Sequence, residues 1–572
     1  MSGITQPTAG PSDRRESVQT SGHNSTATTT AGEQDAESGK AGEKPSSTGE
    51  LPLLRTLPIL CLLILSLFLV SLDRTIIGVA IPRLTDDFHS PNDIGWYGSA
   101  YMLTNASLQL IFGRLCKHNP VKPIFLSAMF IFAVGSAVCG ATPNSVGLIL
   151  GRAIAGAGAS GILQSALQII LHIVPLHKRP MIMAMFGVVI GASSALGPLI
   201  GGAFTQKVSW RWCFYINVPC AALAILIVAL LLRPEDVDDG KRQNLKFFEQ
   251  IKQLDPLGFI LIVPATVALL LALQFGGFAY AWSNARVVAL LVIFGVFFLA
   301  FVASQWYAGD RALIPPRVFL QRTVYGSLWY TFCLAGSMNV AIYYIPIWFQ
   351  AVKQSEALHS SYQTLPVILS LVVASILSGA AARRTGHFGP QLVAAPVLAS
   401  VGMGLISLWT TGTAHPEWIG FQVLYGFGIG LGMQSPSLAL QSNVDPQDLP
   451  LALASNFFSQ QMGGAIFVSV AQNLLANKLK STLAGVEGLN ASVLAKTGVT
   501  ELAKMVPASL LPTIINAYNV ALRDVWYAGL GTACAIVLAL PFIKWQNLKK
   551  VSEQQRLAQD AAKQDAEKTQ EA

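Results

Sequence analysis

Charge is scarce in this sequence. Only 12% of its 572 residues are Asp, Glu, Lys or Arg, whereas 52% are hydrophobic. Soluble domains carry about 25% charged residues, so the composition excludes an ordinary soluble enzyme or binding domain. It indicates a protein that crosses a membrane many times.

Motifs for covalent, metal or nucleotide chemistry are also missing. The seven cysteines form neither a CxxC pair nor a spaced framework, which excludes a disulfide scaffold. No Walker A sequence, catalytic triad or metal-ligand cluster occurs, so we expect no enzyme activity, no ATP-driven step, no metal and no cofactor. The net charge of +8 comes from basic residues in short loops, where they set membrane topology and do not indicate nucleic-acid binding.

Fourteen apolar runs follow a polar N-terminal segment, and each is compatible with the roughly 20 residues that a bilayer requires. The sequence therefore predicts an all-α integral membrane protein with 14 transmembrane helices. The predicted spans are 57–80, 96–114, 121–141, 146–171, 181–204, 212–232, 257–275, 286–306, 322–350, 362–382, 391–411, 418–440, 451–475 and 525–545.

The spans divide the chain into five parts. Residues 1–50 are rich in Ser, Thr, Gly, Glu and Asp, and this composition predicts a disordered cytoplasmic tail. The other parts are an N-terminal six-helix half at 51–232, a cytoplasmic loop with two extra helices at 233–306, a C-terminal six-helix half at 307–545 that includes an extracellular loop at 476–524, and a cytoplasmic tail at 546–572.

Lysine and arginine are concentrated in alternate loops. If the N terminus is cytoplasmic, the inner loops receive most of the basic residues, and the positive-inside rule then places both termini in the cytoplasm. The loop between the twelfth and thirteenth spans breaks the trend, because it holds Asp445 and Asp448 and no basic residue. The long outer loop contains an Asn-x-Ser sequon, which predicts glycosylation at Asn490.

Asp73 is the only carboxylate that lies well inside a predicted span, and Arg152 lies two turns inside another if that span begins near Ser145. A carboxyl group in a low-dielectric region can bind and release protons, and a buried arginine can pair with its ionised form. The two residues therefore predict a proton-binding pair. The alternatives are that Asp73 caps its helix at the headgroups and that Arg152 snorkels to the interface.

Small residues and one proline crowd the fifth span. Proline inside a helix removes a backbone hydrogen bond, and glycines let neighbouring backbones approach closely. This pattern predicts a helix that rocks against its neighbours, with tight packing alone as the alternative. The residues are Gly191, Gly197, Pro198, Gly201 and Gly202.

Amide and aromatic side chains recur in several other spans. Amides in lipid face the helix bundle or a cavity, and ordinary helix contacts explain any one of them as well as substrate contacts do. A cavity with aromatic walls and few charges suits bulky, largely apolar organic ligands. The candidate cavity residues are Asn105, Gln109, Gln164, Gln168, Asn339, Tyr343, Gln434, Phe457 and Gln460.

A weak internal repeat supports two related halves. Gly156-x-Gly158 in the fourth span and Gly428-x-Gly430 in the twelfth are each followed by a Ser/Gln-rich stretch. Duplicated halves are typical of transporters, although glycine-rich spans also resemble each other by composition. In this register the counterpart of Arg152 is Leu424, so charge-based chemistry belongs to the first half.

Three stretches resemble motifs of the major facilitator superfamily, in its fourteen-span drug:proton antiporter branch. LDRTIIGVAIP is similar to the first-span motif, whose acidic and threonine positions fall on Asp73 and Thr75. RAIAGAGASG is similar to the fourth-span motif Arg-x-x-Gln-Gly, with Arg152 at its arginine and Ala155 at its glutamine. GPLIGG, which starts at Gly197, closely matches the fifth-span antiporter motif.

The loop after the second span departs from the family pattern. That pattern reads Gly-x-Leu-x-Asp-Arg-x-Gly-Arg-Lys, whereas this chain has GRLCKHNPVK. Lys117 replaces the acid and His118 replaces the arginine. The gate that is attributed to this motif therefore cannot operate in its usual form.

The stretches SWRWCFYINVP, LALQFGGFAYAWSN and YYIPIWFQAVK are similar to fungal members that export toxins and other secondary metabolites. The resemblance implies a monomeric antiporter in the plasma membrane, or else the vacuolar membrane, that exchanges protons for a small organic substrate. One alternative is a siderophore or basic amino-acid transporter of the same fold, although few intramembrane acids are present to receive a cation. The other is a membrane sensor that transports nothing.

Overall fold

The computed structural model describes residues 53–89, 93–233, 255–277, 280–483, 510–554 and 557. Within these ranges the chain forms helices and no β-strand. The first half contains α1 (Leu53–Phe88), α2 (Ile94–His118), α3 (Val121–Ala141), α4 (Ser145–Ile173), α5 (Arg179–Lys207), α6 (Trp212–Tyr215) and α7 (Asn217–Leu231).

Two extra helices and the second half follow. The extra pair is α8 (Pro256–Phe275) and α9 (Ala285–Ala308), followed by a 3₁₀ turn (Gly309–Arg311) and the short α10 (Pro316–Phe319). The second half contains α11 (Arg322–Ala351), α12 (Ala357–Gln363), α13 (Leu365–Thr385), α14 (Gly389–Ile406), α15 (His415–Gly432), α16 (Ser435–Asn443), α17 (Leu449–Leu483), α18 (Leu511–Ala535) and a 3₁₀ helix (Ile536–Phe542).

Eleven helical segments of the described chain are long and apolar enough to cross a membrane, so this is a multi-pass membrane protein. The predicted all-helical fold is confirmed, but the predicted number of 14 is not reached by this measure. The predicted second, twelfth and thirteenth spans correspond to α2, α15 and α17, which have 25, 18 and 35 residues. Polar side chains that point into the bundle lower the mean hydropathy of such helices.

Two predicted spans are interrupted where proline occurs. The predicted span 418–440 ends as α15 at Gly432, and a separate helix, α16, has Pro436 in its first turn. The predicted span 525–545 changes from α-helix to a 3₁₀ helix that contains Pro541. Proline has no backbone N–H to donate and so removes one helical hydrogen bond at each of these positions, although Pro264, Pro346 and Pro396 lie inside continuous α-helices elsewhere in the chain.

The predicted outer loop 476–524 is too long. Helix α17 continues to Leu483 and α18 already begins at Leu511. The two helices contact each other through an ion pair of 3.5 Å between Lys478 Nζ and Asp524 Oδ2. The predicted sequon at Asn490 lies outside the described residues.

Glycines set the spacing of helices in the first half. Gly156 on α4 lies against the backbone of Tyr101 on α2, and Gly158 lies against the backbone of Phe132 on α3. A Cβ atom at either position would clash with its neighbour. Helix α4 is therefore held tightly between α2 and α3.

The second half repeats this packing in a register that differs from the one predicted from the sequence. On α15, Gly426 lies against Val367 of α13 and Gly428 lies against Ala399 of α14. Gly426 and Gly428 thus correspond to the two α4 glycines, and the counterpart of Arg152 is Gln422, not Leu424. The correction arises because packing partners, and not glycine spacing alone, define the register. The counterpart is still uncharged.

The two halves meet along two seams near one end of the bundle. In one seam Gly379 of α13 lies against Pro180 of α5, and Gly191 of α5 lies against Val372 of α13. Further along α5, the neighbour of Gly197 belongs to the same half, on α1. Helix α5 therefore contacts the second half near its N-terminal end and contacts α1 further along.

The second seam joins α2 to α17. Gly113 of α2 lies against Ala454 of α17, and Lys117 forms an ion pair with Asp448, just before α17. Both seams lie where α2 and α13 end and where α5 and α17 begin. We call this part of the bundle the closed end.

Candidate proton and substrate site

A buried ion pair joins α1 to α4 in the first half. The Arg152 guanidinium donates to the Asp73 carboxylate, with 2.5 Å between Nη1 and Oδ2. Both residues are only 1% exposed, so the structure places them inside the bundle and not at its surface. Removing one partner of such a pair leaves an uncompensated buried charge. The protonation state of Asp73 would therefore affect how the helices pack.

Three further residues complete the surroundings of this pair. Arg152 Nε donates to the Tyr97 carbonyl at 3.0 Å, and the guanidinium lies 4.4 Å from the centre of the Tyr101 ring. Asn217 Nδ2 donates to the other Asp73 oxygen, Oδ1, at 2.9 Å. Each carboxylate oxygen therefore has its own donor, and the cation keeps two contacts that do not depend on the carboxylate.

Asn217 was not a sequence candidate, although it is the first residue of α7 and is buried. It also donates to Ser136 Oγ on α3 at 3.3 Å. The available signal was an amide in an otherwise apolar predicted span, which is the same criterion that selected the other amides. The pair at Asp73 and Arg152 thus draws α1, α3, α4 and α7 together.

Thr75 follows Asp73 on α1 and contacts a different helix. Its hydroxyl donates to the Ser193 carbonyl of α5 at 2.9 Å, next to the close approach of Gly197. Asp73 and Thr75, two residues apart on α1, therefore contact α4 and α5 respectively. A change in the contacts of Asp73 can therefore alter the neighbouring contact between α1 and α5.

The predicted fifth-span residues all lie within α5, but they have different neighbours. Gly191 is at the seam with the second half, whereas Gly197 is at α1. The carbonyls of Gly201 and Gly202 accept hydrogen bonds from the Thr205 hydroxyl at 2.8 and 3.1 Å. Pro198 lies within the helical range of α5.

Four predicted cavity amides form a ladder between α2 and α4. Asn105 and Gln109 are one turn apart on α2, and Gln164 and Gln168 are one turn apart on α4. Gln109 Nε2 donates to Gln164 Oε1 at 3.5 Å, and Gln164 Nε2 donates across the halves to the Pro450 carbonyl at 2.9 Å. Gln164 therefore belongs to the seam as well as to the ladder.

The ladder retains unused hydrogen-bonding capacity. Among the described residues, Asn105 Oδ1, Gln109 Oε1 and Gln168 Nε2 are buried without a hydrogen-bond partner from the protein. Buried polar atoms in proteins nearly always have a partner, which can be water or a ligand. These two acceptors and one donor can therefore bind polar groups of a small molecule.

The candidates of the second half do not form one cluster. Asn339 and Tyr343 are one turn apart on α11, with Asn339 half-buried and Tyr343 46% exposed. Gln434 precedes α16 at the break after α15, and Phe457 is buried on α17. Gln460 is half-buried on the same helix. Among the described residues, no side-chain hydrogen bond joins these candidates to the amide ladder.

A separate cleft of about 810 Å³ lies between the extra helix pair and the second half. Its walls are largely apolar and aromatic, which suits lipid tails or an apolar aromatic molecule. None of the predicted cavity residues lines it. Aromatic residues in its wall include Phe301, Trp306, Tyr325, Trp329, Phe332 and Phe458.

Metal chemistry has no support in the described part of the chain, where no three metal-ligating side chains cluster. The side chains at the buried pair form an ion pair and hydrogen bonds.

Comparisons with known proteins agree with this architecture. The family model described as Major Facilitator Superfamily matches residues 63–468. The chain is 44% identical over 487 residues to the MFS-type transporter VdtG of Byssochlamys spectabilis, covering 85% of this chain and 87% of that one. It is 43% identical over 490 residues to the efflux pump aflT of Aspergillus parasiticus, with 85% and 95% covered.

A third relative is the rubrofusarin-specific efflux pump aurT of Gibberella zeae, 43% identical over 484 residues, with 85% and 88% covered. Among solved structures, the human organic anion transporter MFSD10 matches with a TM-score of 0.53 at 16% identity, covering 84% of this chain and 100% of that chain. At that identity the likeness concerns the fold alone. The resemblance seen in the sequence is confirmed: the chain belongs to the Major Facilitator Superfamily and is a transporter, not an enzyme.

Proposed function

We propose that this transporter is a proton-coupled antiporter that exports a bulky, largely apolar organic metabolite by alternating access. The observation that carries the proposal is the buried pair of Asp73 and Arg152. It is a site where one proton can be held inside the bundle, in contact with the helices that must move.

Protonation of Asp73 removes the negative partner of Arg152. The cation then keeps the Tyr97 carbonyl and the Tyr101 ring, so it is not left without contacts. In the proposed cycle Asp73 takes a proton from the outside and releases it to the cytoplasm. One charge that crosses 100 mV supplies about 2.3 kcal/mol, or roughly fifty-fold accumulation before any pH gradient is added.

The substrate class follows from the ladder and the relatives. The unused acceptors and donor at Asn105, Gln109 and Gln168 suit a molecule with a few hydroxyl or carbonyl groups on an apolar frame. One relative is named a rubrofusarin-specific efflux pump, and others are named efflux pumps. These names favour export of a secondary metabolite over import.

The remaining parts of the proposal concern topology. Counting α2, α15 and α17 as spans makes 14 crossings, an even number that leaves both termini on the same side. The basic residues of the inner loops favour the cytoplasm for both termini, and the closed end would then be cytoplasmic. We place the protein in the plasma membrane, as a monomer.

The test compares Asp73→Asn with Asp524→Asn, which alters a half-exposed carboxylate outside the site. Each variant is expressed in a pump-deficient yeast, checked at the cell surface, and assayed with a panel of fluorescent drugs and fungal toxins, with and without a protonophore. We expect the intact chain and Asp524→Asn to lower retention of a substrate until the protonophore is added.

Asp73→Asn should lose uphill export, because an amide cannot cycle a proton, while downhill exchange in proteoliposomes continues. Uphill export at the normal rate by Asp73→Asn would contradict the role of Asp73. Absence of flux for every compound, with the intact protein at the surface, would instead favour a sensor or a pump of narrow specificity.

A further inference from the structure

The apolar cleft between the extra helix pair and the second half takes no part in the buried pair or the amide ladder. Its volume of about 810 Å³ lies within the range of ligand sites. Phe301 and Trp306 of α9 lie in one wall, and Tyr325 and Trp329 of α11 lie in another. Trp306 is 63% exposed and Trp329 is 44% exposed, so the cleft is open to its surroundings. Because membrane-spanning helices form its walls, those surroundings are lipid.

The cleft extends from one membrane interface toward the midplane. Trp306 lies in the last turn of α9, just before the exposed charges of Asp310 and Arg311, and tryptophan is typical of an interface. Phe298, another wall residue, lies eight positions earlier on α9, which is about 12 Å along the helix. Half of the hydrocarbon core of a bilayer is about 15 Å thick. The cleft therefore has the depth of a lipid tail in one leaflet.

Polar side chains in the walls already have partners in the protein. The Ser459 hydroxyl donates to the Leu328 carbonyl at 2.7 Å, and Trp329 Nε1 donates to the Ala535 carbonyl at 2.9 Å. Both ends of the Gln305 amide are also hydrogen-bonded. Among the described wall residues, no buried polar side-chain atom lacks a partner, in contrast to the amide ladder. The walls therefore suit a hydrocarbon chain better than a metabolite with hydroxyl or carbonyl groups.

Two basic residues flank the interface end of the cleft. Arg322 begins α11, three positions before Tyr325, and Lys544 lies two positions after Phe542. The rings of Tyr325 and Phe542 contact each other in the wall, with centroids 5.2 Å apart. The Lys544 backbone N–H donates to Thr323 Oγ1 at 3.3 Å, which brings the two basic residues to the same end of the cleft. Both are exposed, and neither side chain forms an ion pair or hydrogen bond with any described residue. We call Arg322 and Lys544 the mouth cations.

Neighbouring acids do not neutralise the mouth cations. Asp310 and Asp448 both accept hydrogen bonds from Arg317. Arg114 of α2 donates to the Asp310 carbonyl at 3.0 Å and so helps to hold the connection between the extra pair and the second half. In the described ranges, no ion pair joins Asp445 to either mouth cation. The mouth cations are therefore available to an anion at the membrane surface.

We propose that the cleft binds one anionic phospholipid, with an acyl chain between the apolar walls and the headgroup phosphate at the mouth cations. Arginine and lysine form strong, charge-assisted hydrogen bonds with phosphate. Every phospholipid carries a phosphate, but only an anionic headgroup keeps a net negative charge. The lipid connects the extra helix pair to the second half by filling the space between them. The proposal depends on neither proton coupling nor the direction of transport.

The test measures lipid binding to the purified full-length protein in detergent by native mass spectrometry. The protein is titrated with phosphatidylserine or with phosphatidylcholine that has the same acyl chains, and the first binding step gives an apparent affinity. Glycerophosphoserine, which is the headgroup without chains, is added as a competitor. We expect phosphatidylserine to bind at least about fivefold more tightly, the factor for about 1 kcal/mol per basic residue, and to stay bound in the presence of an equal concentration of glycerophosphoserine.

A double variant tests the mouth. Arg322→Gln combined with Lys544→Gln should lower the affinity for phosphatidylserine by about 25-fold and remove its advantage over phosphatidylcholine. The matched control combines Arg383→Gln with Arg384→Gln, which removes two exposed charges at the end of α13, also at the closed end. This control should leave both affinities unchanged. An equal loss in the two double variants would show a general attraction to the surface and would overturn the site.

A second pair of variants tests the cleft. Val302→Trp enlarges a wall residue of α9 and should weaken the binding of both lipids. Val292→Trp lies on the same helix, is also exposed and does not line the cleft, so it should have no effect. Unchanged binding in Val302→Trp would overturn the placement of the acyl chain. Thermal unfolding of each variant verifies its fold.

Three results with the intact chain would also overturn the proposal, whether or not a variant folds. Equal affinities for the two lipids would exclude recognition of the anionic headgroup. Displacement by an equal concentration of glycerophosphoserine would indicate an anion site without a role for the acyl chain. Displacement by a compound that the cell assay shows to be exported would assign the cleft to the substrate. None of these results bears on the export test of Asp73.

Discussion

Asn217 offers the most quantitative test of the proton site. Its amide donates to Asp73 Oδ1 at 2.9 Å and thereby favours the charged carboxylate over the neutral acid. Hydrogen bonds to charged groups contribute about 1.5–3 kcal/mol and neutral ones about 0.5–1.5 kcal/mol. Asn217→Leu, which preserves volume, should therefore cost the charged form about 1.4 kcal/mol more than the neutral form, equivalent to about one pH unit.

The direction in which the pH profile of transport moves follows from the direction of proton transport. Without the amide donor the proton is held more tightly, so its release requires a higher pH on the cytoplasmic side. In proteoliposomes with a fixed pH difference, the pH at which uphill transport reaches half its maximum should rise by about one unit. The maximum itself should persist, since the ion pair with Arg152 remains.

Asn519→Leu is the matched control for this experiment. Asn519 is also a buried amide, but it accepts a hydrogen bond from Trp348 Nε1 at 2.9 Å in the second half. Its loss should lower stability without moving the pH profile. A profile that is unchanged in Asn217→Leu, or that moves equally in both variants, would refute the assignment of Asn217 to the proton site.

Two further predictions concern packing and the closed end. Gly156→Val should push α2 away from α4 and lower the stability measured by thermal unfolding by about 1–3 kcal/mol. Gly295→Val is the control and should leave stability unchanged, because Gly295 has open space around it. An equal loss of stability in both variants would contradict the packing role of Gly156. Burial alone raises the pKa of Asp448, but the hydrogen bonds and charges of Lys117 and Arg317 outweigh it and hold the pKa below its ordinary value of 3.8. The attraction between Asp448 and Lys117 is then fully present above that ordinary value and is lost only as the pH falls through the lowered pKa. The loss of thermal stability caused by Lys117→Met should therefore be constant from about pH 8 to 5, and a loss that shrinks within this range would contradict the ion pairing.

Much of the fold could be predicted because bilayer thickness imposes a length on every apolar segment. That rule located both ends of α3 and of the extra pair to within two residues, whereas α1 continues to Phe88, eight residues past the predicted span. It does not constrain helices outside the apolar region, so the continuation of α17 to Leu483 was missed. It also gives no warning of a break such as the one before Pro436, where backbone hydrogen bonding and not hydropathy decides the outcome.

The site was only partly predictable, for a related reason. Asp73 and Arg152 stand out because a charge in an apolar segment is unusual in any context. Asn217 does not stand out, because an amide near the start of a span is common. Its importance follows only from its hydrogen bond to Asp73. The partner of Lys117 is 331 positions away in the chain, so two apparent irregularities of sequence became one ion pair only in three dimensions.

Helix α2 links the buried pair of Asp73 and Arg152 to the closed end. Tyr97 and Tyr101 of α2 contact the Arg152 guanidinium, and Lys117 ends the same helix about 24 Å further along, at 1.5 Å per residue. Between them, Gln109 lies against Gln164 of α4, which reaches the backbone of the second half. In the proposed cycle, protonation of Asp73 would change the contacts that Arg152 makes at one end of α2. A helix held by close packing would transmit such a change to its other end, where Lys117 contacts Asp448 across the halves.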